Sequence, residues 1–134
     1  MKTDYTLHPA CPPDTADWLR LRDRLWEGDD HTTEIAQYFA GQLDEPVEVL
    51  IARAPDGTAV AHVELSIRDD IAGLEGQRTG YIEGLYVDEA HRHHGVALLL
   101  LRASEAWAQA QRCTAFASDR DDRVIVHRRF DAPA

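Results

Sequence analysis

The sequence predicts a mixed α/β fold in which helices cover a largely antiparallel sheet. Three observations lead there. Apolar residues recur at helical spacing in the first forty or so positions, they alternate at a spacing of two between 59 and 67, and a strand–turn–helix–strand run follows from 81 to 118. Helices first, then an antiparallel meander, then a strand–helix–strand unit make a layered α/β arrangement.

The elements follow in order. Asp4 to His8 is a short strand, ended before Pro12-Pro13. Asp14 or Thr15 can cap a helix whose apolar residues Trp18, Leu21 and Leu25 share one face, and Gly28-Asp29-Asp30 breaks it. A second helix starts near Thr32 or Thr33, with Ile35, Phe39 and Leu43 on one side and Gly41 near its end. Val47 to Ala52 and Ala59 to Ile67 are strands joined through Pro55-Asp56-Gly57. In the second of these, Ala59, Ala61, Val63, Leu65 and Ile67 alternate with Val60, His62, Glu64 and Ser66. Residues 69–80 are a charged, glycine-containing loop, Tyr81 to Val87 a strand, Ala97 to Gln111 a long helix, Cys113 to Ser118 a strand, and Val124 to Phe130 a further strand.

A length of 134 residues fits one domain, residues 1–134, and 44% hydrophobic content is enough for a core. The net charge of −10 opposes nucleic-acid binding and favours a polycationic small molecule. No apolar run reaches the roughly 18 residues of a membrane span. Met1-Lys2-Thr3-Asp4-Tyr5 has no apolar segment of the secretory kind. Two cysteines, Cys11 and Cys113, make neither a disulfide framework nor a zinc cluster, which points to a reducing cytoplasm. The basic set is thirteen Arg and one Lys, scattered along the chain, as codon bias would leave it.

The chemistry concentrates in Tyr81-Ile82-Glu83-Gly84-Leu85-Tyr86-Val87, the turn Asp88 to His91, and Arg92-His93-His94-Gly95-Val96-Ala97. Amides at a helix start have no intrahelical partner, and the macrodipole adds partial positive charge there. Gly95 allows close approach or positive φ, and Ala97 keeps the floor low. Two readings stand side by side: a pyrophosphate cradle, or an ordinary strand-to-helix turn with a solvated basic rim.

This segment resembles the acetyl-CoA loop of the Gcn5-related N-acetyltransferases (GNAT), with its Q/R-x-x-G-x-G/A signature after the fourth strand. The chain is similar, more narrowly, to the aminoglycoside 6′-N-acetyltransferases. The matching blocks are Leu21-Arg22-Asp23-Arg24-Leu25-Trp26, Leu65-Ser66-Ile67-Arg68-Asp69-Asp70, Tyr81 to Val87, Arg92 to Ala97, and Ala117-Ser118-Asp119. The resemblance implies a GNAT fold with a splayed pair of central strands and acetyl-CoA as cosubstrate. It implies that Arg92, His93, His94, Gly95, Val96 and Ala97 bind the pyrophosphate. It places the pantetheine arm along Leu85, Tyr86 and Val87, where an amide polarises the thioester carbonyl. Glu83 and Asp119 fall where the subfamily has acidic substrate contacts and serve as catalytic carboxylates; Trp26 matches an aromatic that flanks the bound sugar.

Each residue also has a plainer reading. Glu83 can face solvent on a half-buried strand, Asp119 can form a turn or cap, and Trp26 can be core packing at a helix end. His91, His93 and His94 lack a ligand spacing, so no metal is expected. His62 and His127 read as partly buried structural histidines, and Cys113 has no His-centred motif of a nucleophile.

The sequence departs from the subfamily after Asp119, where fifteen residues remain for a loop, a helix and two strands. Either Arg123 to Phe130 matches the last strand with the helix deleted, or Val126 to Phe130 matches the helix end with both strands lost. The β-branched run Val124-Ile125-Val126 favours the first. The helix that lies beside CoA in the subfamily, with its cofactor-contacting Asn, has no match, and Ile71 stands where the subfamily has a tyrosine. An open sheet edge near the cofactor cleft implies a homodimer with exchanged C-terminal strands. The resemblance implies acetyl transfer to the 6′-amine of aminoglycosides. Other amine acceptors (a polyamine, a peptide or a lysine) and a non-catalytic acyl-CoA-binding module are the competing functions.

Overall fold

The computed structural model describes residues 4–130. Six strands form a single sheet in the order of the sequence: β1 (Thr6–Pro9), β2 (Glu48–Arg53), β3 (Ala59–Arg68), β4 (Thr79–Val87), β5 (Ala115–Arg120) and β6 (Arg123–Arg129). Every neighbouring pair is antiparallel except β4 and β5, which run parallel and are joined by the crossover helix α3 (Val96–Ala110). Helices α1 (Thr15–Leu25) and α2 (Thr32–Phe39) precede the meander, as the apolar spacing predicts.

Helices on both faces explain why β3 is buried along eight successive residues rather than on alternate ones. Ala61, Val63 and Leu65 meet Val96, Leu100 and Ala108 of α3, together with Ile82 and Phe116. On the opposite face Trp18, Leu21 and Ile35 of α1 and α2 close over Val49 and Ile51. The alternating polar residues His62, Glu64 and Ser66 are fully buried, with Glu64 turned towards α1. Glu64 answers its burial by accepting from Trp18 Nε1 at 3.1 Å and pairing with His62 Nε2 at 3.0 Å. Burial pushes the Glu64 carboxyl up, yet His62, Arg22 and Trp18 outweigh it and hold it below its usual range.

One local reading is corrected and one is borne out. Asp14 does not cap α1 with its side chain; its carboxylate accepts from the Cys11 amide at 2.8 Å and from Arg53 at 2.7 Å, bracing the turn before the helix. β5 passes into β6 through Asp121 and Asp122 alone, both left-handed (φ 49° and 66°), so no helix separates these strands. This agrees with the alignment of Arg123 to Phe130 to a strand. Ile71, in the tyrosine's place, is buried with Leu74 beneath Tyr81.

Gly80 is the point at which α3 sits down on β4. A Cβ there would lie 2.5 Å from the Ala108 Cβ, and both atoms are fixed to backbone. Replacing Gly80 by Val forces helix and sheet apart at a cost of about 1–3 kcal/mol. The expected outcome is a lower Tm in thermal unfolding.

Candidate active site

The site follows from how β4 and β5 meet. They pair only at Thr79–Ala115, Gly80–Phe116 and Tyr81–Ala117, and then part. Beyond that point β4 keeps its pairing to β3 through Val87, while β5 turns to β6, so the β5-facing edge of residues 82–87 has no strand beside it among the described residues. The resulting cleft holds about 400 Å³ and is lined by Leu25, Trp26, Glu83, Gly84, Leu85 and Asp119, among others. The three expected acceptor-side residues, Trp26, Glu83 and Asp119, are therefore together.

A bulge sets the chemistry of the β4 wall. Glu64 of β3 faces Gly84 and Leu65 faces Ile82, which leaves Glu83 as the extra residue. One inserted residue reverses the alternation beyond it. Gly80 accordingly faces α3, whereas Gly84 faces α1, where a Cβ would come within 2.6 Å of Leu25 Cδ2 and 2.8 Å of Trp26 Cζ2. The missing side chain is what lets the indole lie against the strand.

Glu83 is not a bare carboxylate. Arg68 grips it with two bonds, Nε to Oε2 at 2.7 Å and Nη2 to Oε1 at 2.9 Å, and reaches Glu45 at 2.6 Å. Glu83, and Glu45 and Asp70 behind it, hold the Arg68 guanidinium still more firmly protonated, against a smaller effect of burial. Asp119, exposed on β5, has no ion-pair partner among the described residues. Burial, with the Asp119 carboxylate beside it, pushes the Tyr81 phenol up to about 12.

At the far end of β4 the chain turns through Glu89–His91 and enters α3 from Gly95, which is left-handed at φ 88° with open space where a Cβ would stand. The first bond of the helix runs from Leu99 N–H to Gly95 O, so the amides of Val96, Ala97 and Leu98 have no acceptor within the helix. Residues 92–95 and 97 are exposed. Arg92 itself folds back: its Nε donates to Val87 O at 3.0 Å and its guanidinium lies 5.8 Å from the Tyr86 ring centre. It braces the loop, and the amides at the open helix start are left free to donate. No group of His, Cys, Asp and Glu able to hold a metal occurs among the described residues.

A comparison with known families matches residues 14–130 to the acetyltransferase (GNAT) family. The chain belongs to this family. An aminoglycoside N(6′)-acetyltransferase type 1 of Klebsiella aerogenes is 38% identical over 122 residues, covering 89% of this chain and 80% of that protein. The crystal structure of the aminoglycoside 6′-N-acetyltransferase AAC(6′)-IG from Acinetobacter haemolyticus, without ligand, superposes with a TM-score of 0.76 at 38% identity, covering 87% of this chain and 80% of that one. A second, AAC(6′)-Iy bound to a bisubstrate analogue, CoA-S-monomethyl-acetylneamine, gives 0.78 at 29% identity, with coverages of 90% and 82%. The six-stranded sheet with its single parallel pair is the GNAT arrangement.

Two site features escape a reading of the sequence. Arg68, the partner of Glu83, lies in a block that matches the family, but nothing local shows that it turns towards the β4 bulge. His127, read as a structural histidine, is exposed instead and lines the cleft, with its Nε2 at 2.7 Å from Ser118 Oγ. It is the extra residue of a β6 bulge, since Phe116 faces Arg128 and Ala117 faces Val126. Desolvation draws its pKa below 6.5, partly offset by Glu105. The unfolded chain therefore protonates first as pH falls, so His127 weakens the fold below about pH 6.5 and not above it. Proton NMR should place its midpoint below 6.5, and Glu105→Gln should lower it further.

Proposed function

We propose that this protein transfers the acetyl group of acetyl-CoA to the 6′-amine of aminoglycosides. The observation that carries this reading is the cleft between β4 and β5, where an open strand edge meets an acidic wall, with the free amides of α3 following the far end of the same strand. The relatives named above support the substrate pair.

In this reading the amides of Val96, Ala97 and Leu98 and the open space at Gly95 hold the pyrophosphate, within the loop Arg92-His93-His94-Gly95-Val96-Ala97. The free edge of Leu85, Tyr86 and Val87 pairs with the pantetheine arm, and a backbone N–H there stabilises the charge developing on the thioester oxygen. Trp26 flanks the sugar and Glu83, anchored by Arg68, orders its ammonium groups. Asp119, with no Arg upon it, takes the proton that the attacking amine sheds, directly or through water. The C–N bond forms as the C–S bond breaks, and CoA leaves. Most of the rate comes from alignment, since no covalent enzyme intermediate is needed. A cytoplasmic location accords with Cys11 and Cys113 both being free thiols. A homodimer accords with β6, whose outer edge has no partner strand among the described residues; sedimentation as a monomer at micromolar concentration, with full activity, would remove it.

Thiol release from acetyl-CoA tests the reaction with neomycin, which has a 6′-amine, and paromomycin, which has a hydroxyl there. Release with neomycin alone is expected; release with both would move the acetylated amine elsewhere. Gly95→Val should weaken CoA binding by about tenfold through lost backbone contacts. Joint replacement of Glu83 and Asp119 by Ala should raise the neomycin KM by about tenfold and lower kcat by about a hundredfold, while leaving CoA binding intact. Calorimetry with CoA separates the two effects.

A further inference from the structure

Between the sheet and the acceptor wall lies a buried ionic group that the transfer reaction does not itself use. Arg22, on α1, is 7% exposed. Its Nε lies 3.3 Å from Glu64 Oε2 and its Nη2 donates to Glu34 Oε2 at 3.2 Å. Neither Nε nor the remaining terminal nitrogen, Nη1, has a hydrogen-bond partner among the described residues, so Glu64 holds Arg22 as an ion pair and Glu34 alone accepts a hydrogen bond from it. The guanidinium lies over the Trp26 ring, 5.2 Å from its centre, so the indole face is the electron-rich surface left for Nη1.

Trp26 is fixed from three sides. Arg22 covers one face of the indole, Gly84 admits it against β4, and His31 Nε2 lies 2.9 Å from the Trp26 carbonyl oxygen. Glu34 lies beside two of these supports: it accepts from Arg22, and its Oε1 is 3.5 Å from His31 Nδ1 without a hydrogen bond between them. Glu64, held by Trp18 and His62 inside the sheet, anchors the far end of the set. Burying such charges costs several kcal/mol that their attraction recovers only in part, so stability alone gives little account of the pair. What the arrangement provides is orientation. A guanidinium bonded to Glu34, paired with Glu64 and laid over the indole presents a flat face, which a flexible ammonium would not have.

We propose that Arg22 is a positioning residue: clamped between Glu64 and Glu34, it sets the plane of Trp26 and through it the fit of the aminoglycoside ring. This rests on the acceptor site described above. Arg22→Lys keeps the charge between the two carboxylates and removes the flat face, and a double-mutant cycle with Trp26→Ala shows whether the effect passes through the indole.

The expected result is a neomycin KM raised about five- to tenfold by Arg22→Lys with the acetyl-CoA KM unchanged. In the Trp26→Ala background the same substitution should add nothing. An equal rise in both backgrounds, a rise in both KM values together, or no rise at all would overturn the proposal. Should Arg22→Lys not fold, Glu34→Gln loosens the clamp from its half-exposed end without stranding a buried charge. It should raise the neomycin KM only where Trp26 is present, and a rise independent of Trp26, or none, would count against the proposal. If the native protein acetylates no aminoglycoside, the proposed function fails by itself. The inference is then read from the near-ultraviolet circular dichroism of Trp26, taken as the difference from Trp26→Phe. Arg22→Lys should diminish that band, and an unchanged band would refute the role of Arg22.

Discussion

Two parallel strands that pair at three positions and then part are the constraint on which the rest of this molecule depends. Two glycines on β4 define the geometry. Gly80 lets α3 close onto the paired end through Ala108, and Gly84 lets Leu25 and Trp26 close onto the parted end. Four residues apart on an unbroken strand they would share a face; the bulge at Glu83 puts them on opposite ones. The same bulge brings Glu83 and the seat of the indole onto one surface. A single inserted residue thus lets the crossover helix close on one side of the sheet and sets Glu83 beside the indole on the other.

The charge of the molecule is arranged rather than merely large. A net −10 sets a field that draws cations from a distance. Close to the cleft the carboxylates differ in kind. Glu83 is committed to Arg68, Glu64 is buried among Trp18, His62 and Arg22, and Asp119 stands exposed. Residues of the same acidic type thus stand in three different settings, ion-paired, buried and open to solvent, by their surroundings alone.

Much of this was legible in the sequence, and the remainder was hidden for identifiable reasons. Trp18, Leu21 and Ile35 show the helical period because one face of each helix is buried, and Tyr81 to Val87 followed by Gly95 and an apolar helix shows the strand–turn–helix unit directly. The six strands and three α-helices lie within a few residues of their expected places. Bulges leave no such trace. Nothing in the residues around Glu83 or His127 marks them as inserted, because packing from α1, α3 and the neighbouring strands selects the register. The alternation in β3 similarly shows two sets of residues without showing that a helix covers the polar one. Asp14 carries the composition of a helix cap, but Arg53, distant in sequence, draws its carboxylate elsewhere.

The open edge of β4 has a further consequence because of where it lies. A free strand at the border of a sheet accepts any extended chain that reaches it, and proteins guard such borders against aggregation. Here the free edge is recessed, with the β5–β6 hairpin on one side and Trp26 over the strand on the other. Sheet strands lie about 4.8 Å apart, so a gap opened between neighbours is graded in width from nothing at Tyr81 outwards. The taper is a gauge of cross-section: an extended chain with side chains needs the full spacing of a sheet strand, and the gap offers that spacing only towards its mouth.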